Sequence, residues 1–169
     1  MEKLERIYEL RMLLARQGEL QIPLTDVDAA RLARLQRALG HQIPSVDERD
    51  SETWLPIPIP LQFTAQGAYG AGLLRNVSGG GMAVITSEPP ALGQQLIVRI
   101  EDQAHSVEYV FPCRVLSRVV KGLSTMGLAF EGVPSQTRLN RHSGVWRMDA
   151  AEPRGSALSQ RPPRKTASE

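Results

Sequence analysis

The side chains able to do chemistry are few and scattered. His41, His105 and His142 lie far apart in the chain, and none has a partner at metal-ligand spacing. They read as solvated residues, His41 and His142 at element ends and His105 in a turn. Ser78 sits in Asn76-Val77-Ser78-Gly79-Gly80, which lacks the first glycine of the G-x-S-x-G turn that exposes a nucleophilic serine. Gly67, Gly70 and Gly72 are followed by no helix, so they read as a flexible turn rather than a phosphate cradle. Cys113 falls on the apolar parity of a strand and reads as a buried, inert thiol. As the sole cysteine it excludes an internal disulfide framework. These features predict a protein that is not an enzyme, with no metal site and no resident cofactor. What remains is the stretch from Arg75 to Met82, set between the apolar runs Leu73-Leu74 and Met82-Ala83-Val84-Ile85. Its Asn, Ser and Gly residues are turn formers. The same residues can present short polar groups and unshielded backbone N–H groups to a ligand.

The elements that must position this stretch follow from periodicity. Leu4, Ile7, Tyr8, Leu14 and Ala15 fall near helical spacing, with Leu10 and Leu13 widening the stripe, which predicts a helix over residues 2–18. Gly18 stops it and Pro23 lies in the connection. Thr25 opens a second helix, with Asp28 three residues on as a short capping box. Leu32, Leu35 and Leu39 form its apolar face, and Gly40 ends it. The short connection predicts an antiparallel hairpin spanning residues 1–40. Residues 41–53 are a polar linker. From Trp54 the period changes to two. Pro56, Pro58 and Pro60 alternate with Leu55, Ile57, Ile59 and Leu61, which predicts an extended edge segment at best, because proline cannot donate to a ladder. Strands are expected at 68–76, 82–87, 94–101, 106–120 and 123–131, a pattern that suggests a small barrel or sandwich. Residues 134–147 could form a short closing helix through Leu139, Val145 and Trp146. The barrel and its helix would thus span 54–148, and residues 149–169 read as a disordered tail.

Charge and composition exclude several classes. The chain has 169 residues, and its formal net charge of +2 is misleading until divided. Four of the 20 basic and two of the 18 acidic residues lie in the last twenty positions, leaving 16 against 16 in the body. A nucleic-acid binder needs clustered positive charge, and the body has none in sequence. No run approaches the ~18 consecutive apolar residues of a membrane span, and the N-terminus has no apolar signal region. A cytoplasmic, bacterial-type protein with no nucleic acid partner and no membrane insertion is the expectation.

The residues Asn76, Ser78 and Gly81 match [D/N]-x-S-x-x-G, and the stretch follows the second expected strand. Together with the polar approach, the extended first segment and the paired strands ending in Met126-Gly127-Leu128-Ala129-Phe130-Glu131-Gly132, this resembles the PilZ domain family over roughly residues 46–147. The resemblance implies a mainly β fold, a six-stranded barrel with a C-terminal helix, here preceded by the α-helical hairpin. Many members bind the second messenger cyclic di-GMP, with the Asn and Ser positions meeting a purine edge. The family's other signature, R-x-x-x-R, falls on Arg49-Asp50-Ser51-Glu52-Thr53. Arg49 is present, but Thr53 replaces the second arginine and cannot form a guanidinium fork. Asp50 and Glu52 add negative charge where a dianionic ligand would lie.

The resemblance therefore implies a degenerate member, a non-enzymatic regulatory or adaptor protein acting through protein contacts. The process would be motility, type IV pilus function, polarity or exopolysaccharide control, without high-affinity cyclic di-GMP binding. The alternative is a cyclic di-GMP receptor using an altered site at Arg49, Arg75, Asn76, Ser78 and Gly81. Outside the family core, the hairpin has more apolar groups than two short helices can bury between themselves. Leu4, Ile7, Leu32 and Leu35 are its candidate surface for a protein partner or for self-association. Arg31, Arg34 and Arg37 read as a solvated face.

Overall fold

The computed structural model describes residues 2–44, 46, 55, 57–120 and 124–139. Helix α1 spans Glu2–Gln17 and α2 spans Asp26–Leu39. The Thr25 hydroxyl accepts the Asp28 N–H at 3.1 Å and so caps α2. Gly40 ends it at φ 68°, with its N–H on the Gln36 carbonyl. Arg16 pairs with Asp28 at 3.2 Å, and Arg31 pairs with Glu9, so both ion pairs join one helix to the other. Leu10, Leu13, Leu32 and Leu35 form the apolar seam between the helices.

Seven strands follow: β1 Ile59–Ala65, β2 Ala68–Val77, β3 Gly81–Ile85, β4 Gln95–Asp102, β5 Val107–Val119, β6 Thr125–Phe130 and β7 Ser135–Arg138. Their order is β4-β1-β2-β3-β6-β5-β7, and β4 also pairs with β5. That pairing closes the first six strands into an antiparallel barrel and leaves β7 as an addition on β5. Alternation sets the interior: along β4, Leu96, Val98, Ile100 and Asp102 point in while Gln95, Ile97, Arg99 and Glu101 point out. Tyr109 stacks on Phe111 and Phe130 lies tilted against Phe111 in the core, where Cys113 is also buried, its thiol pKa raised by that burial.

Three expectations are corrected. The proline-rich segment is not an edge at best, because β1 pairs with β2 along its whole length and with β4 at Gln62, Phe63 and Thr64. Gly70 and Gly72 belong to β2 rather than to a flexible turn, and the positive φ falls on Gln66 and Gly67. Where a closing helix was expected to begin, Ser135–Arg138 is a strand with all four residues exposed. Leu139 follows that strand, its N–H on the Ser106 carbonyl at 2.7 Å, while residues 140–147, the 149–169 tail and most of the linker lie outside the described residues.

The hairpin does not stand apart from the barrel. Leu4 and Ile7 belong to the same buried cluster as Phe111 and Leu128, and Tyr8 packs on Tyr109 with ring centroids 5.8 Å apart. Leu32 and Leu35 are buried within the hairpin itself. The four residues expected to face a partner are therefore covered by the chain's own core. The apolar excess of α1, through Leu4 and Ile7, packs into the barrel core.

The turn between β4 and β5 is held by Asp102, 2% exposed. Burial pushes its carboxyl pKa up. Hydrogen bonds from the His105 ring (2.7 Å) and from the backbone N–H groups of His105 and Ala104 outweigh this and hold it below the usual carboxylate value. The unfolded value is about 3.9. A depressed folded value contributes stability that is complete above the unfolded pKa and is lost as pH falls through the folded one. Asp102→Asn is thus expected to lower the melting temperature at neutral pH and to flatten its fall below about pH 4. Parallel acid limbs for the two proteins would contradict this.

Candidate functional site

The stretch singled out by sequence is the turn from β2 to β3. The β2–β3 register shifts between Leu74 and Asn76, so Arg75 is the extra residue of a bulge. The Arg75 carbonyl, displaced from that ladder, accepts the Leu55 N–H at 2.6 Å. Asn76 is buried, and its Oδ1 accepts the Val77 N–H at 2.7 Å. The turn closes with the Ser78 N–H on the Gly81 carbonyl at 2.9 Å and the Gly80 N–H on the Ser78 hydroxyl at 3.2 Å. The structure thus brings Arg75, Asn76, Ser78 and Gly81 onto one bulge and turn. Arg49 and Thr53 lie outside the described residues.

The outer side of this turn is occupied by the chain itself. After α2, residues Leu39 to Gln42 run across it. The Gly79 N–H donates to the Leu39 carbonyl at 3.1 Å, and the Ser78 hydroxyl donates to the Gln42 carbonyl at 2.5 Å. The three glycines have separate reasons to lack a side chain. A Cβ on Gly79 would lie 2.3 Å from the Gly40 carbonyl oxygen, and one on Gly80 would lie 2.1 Å from that of His41. On Gly81 it would lie 1.9 Å from the Leu128 carbonyl oxygen of β6. Gly79 and Gly80 therefore admit the exit of the hairpin, and Gly81 admits a neighbouring barrel strand.

The sequence reading missed residues 39–42, which it placed at the end of α2 and in a polar linker. The available signal was the run of three glycines, where the family pattern requires one. The other singled-out residues do not join this site. His105 serves the Asp102 turn, and Cys113 lies in the core. Among the described residues no group of His, Cys, Asp and Glu could hold a metal ion. No helix among them is long and apolar enough to cross a membrane.

The profile of the PilZ domain matches residues 47–143, more than half of the chain. The chain belongs to the PilZ domain family. In this PilZ chain the match takes in the barrel and the signature turn, while the hairpin lies before it. Among curated proteins none matches. Among solved structures, the Borreliella burgdorferi PlzA protein in complex with c-di-GMP is similar at 20% identity and a TM-score of 0.38. The similarity covers 64% of this chain and 43% of that one, so this PilZ chain spans less than half of the PlzA chain.

Proposed function

We propose that this PilZ protein is a non-enzymatic regulatory adaptor that works through protein contacts and does not bind cyclic di-GMP with high affinity. One observation carries the reading: residues 39–42 already hold the Gly79 N–H and the Ser78 hydroxyl. A dinucleotide using those groups would first have to break both bonds. At about 0.5–1.5 kcal/mol net for each, that weakens binding ~5- to ~150-fold. Thr53 in place of the second arginine adds to the deficit, since it cannot fork onto guanine or phosphate. Motility, type IV pilus function, polarity or exopolysaccharide control is the proposed setting, with the cytoplasm as its place.

Calorimetric titration of the whole chain with cyclic di-GMP is expected to give no saturable heat at low-micromolar ligand. Saturable heat that is abolished by Arg49→Ala would overturn the reading in favour of a receptor with an altered site.

A further inference from the structure

Strand β1 stops pairing with β4 at Gln62, opposite Arg99. Continuing that register would set Pro60 opposite Glu101. Pro60 keeps its place in the β1–β2 ladder, opposite Leu73. A proline can do so with its nitrogen turned away from β2, and here that means toward β4. It has no N–H to give to the Glu101 carbonyl, and the β1–β4 ladder ends at Gln62 and Arg99. Beyond it lies an open cleft of about 920 Å³ bordered by both strands.

Three features of the cleft point to the same occupant. By the same alternation, Arg99 turns its backbone groups to β1, and Glu101 therefore turns its own into the cleft, as an unpaired strand edge. The floor is a row of cross-strand partners, Pro60, Leu73 and Ile85, in which Pro60 and Leu73 (39%) are exposed and Ile85 is buried at the far end. At the rim, Glu101 stands directly opposite Glu108 across β4 and β5, a like-charge pair that costs stability. Arg99 sits 3.6 Å from Glu108, and among the described residues Glu101 has no cation of its own.

We propose that this cleft binds an extended peptide segment of a partner protein by strand addition to the Glu101 edge of β4. The segment places apolar side chains on Pro60 and Leu73 and a lysine or arginine against Glu101. The proposal rests on the adaptor reading, since it names the kind of contact through which such an adaptor would act.

Two measurements on the whole chain test it. In amide hydrogen exchange, the Glu101 N–H is expected to exchange much faster than that of Arg99. Pro60→Val supplies a donor for the Glu101 carbonyl and lets β1 continue along β4, which should bring the Glu101 N–H onto the residue-60 carbonyl and protect it. A displayed library of short linear peptides is then selected on the wild-type chain. The expected enrichment is for alternating apolar residues with Lys or Arg, and binding should weaken about tenfold or more in Pro60→Val and in Glu101→Lys. Equal protection of Glu101 and Arg99 in the wild type would overturn the proposal. So would the absence of enriched peptides, or peptides indifferent to Glu101→Lys. The adaptor reading fails separately, through heat in the cyclic di-GMP titration. An empty cleft with no such heat removes this docking site and leaves that reading in place.

Discussion

Gly81→Ala is expected to cost the barrel several kcal/mol, or to prevent its folding. The added Cβ would lie 1.9 Å from the Leu128 oxygen and 3.3 Å from the Ala129 Cα, both backbone atoms of β6. Neither can swing aside as the tip of a side chain could. Overpacking costs about 1–3 kcal/mol where neighbours can adjust, and more where they cannot. Here the clash falls on the rung where β3 pairs with β6, Gly81 opposite Ala129. The neighbouring Gly80→Ala meets the His41 carbonyl, which belongs to the exit of the hairpin. Its expected effect is displacement of residues 39–42 with a smaller loss for the barrel. Urea midpoints measure both, and equal losses would contradict the division of labour between the two glycines.

The second large effect concerns the hairpin. Ile7→Ala and Leu4→Ala are each expected to lower the stability of the whole chain by about 2–5 kcal/mol, the range for emptying a buried aliphatic site. Both side chains are at most 1% exposed and lie in the cluster that lines the barrel. The loss should appear in the same transition that reports the barrel. Leu116→Ala, at a side chain 51% exposed, serves as the near-neutral comparison. A chain starting at residue 41 loses both anchors and is expected to melt far below the full chain. An unchanged midpoint for that shortened chain would show that the helices are an accessory to the barrel.

Much of this architecture was legible because it depends on local pattern. Thr25 and Gly40 bracket α2 by their own chemistry, and the strict alternation from Val107 to Val115 marks β5 and its inward face. The features that escaped depend on distant partners or on none. The contact between Ser78 and Gln42 joins residues 36 apart, and nothing in either segment names the other. β7 has all four residues exposed, so no burial pattern distinguishes it from the start of a helix. Pro60 was correctly read as unable to donate, but on which side the donor was missing depends on the register with β2 and β4. For the candidate site, spacing located Asn76, Ser78 and Gly81 on one turn. That its outer side is filled by the chain's own backbone required the packing of the hairpin on the barrel.

The most direct measurement is the Gly79 amide followed by NMR, for exchange and for shift, while cyclic di-GMP is added through the low-micromolar range. With residues 39–42 seated on the turn, the Gly79 proton is predicted to exchange slowly and its resonance to stay in place throughout the titration. A rapidly exchanging Gly79 amide, or a saturable shift at Ser78 and Gly79 on adding the dinucleotide, would contradict the internal occupation of the turn.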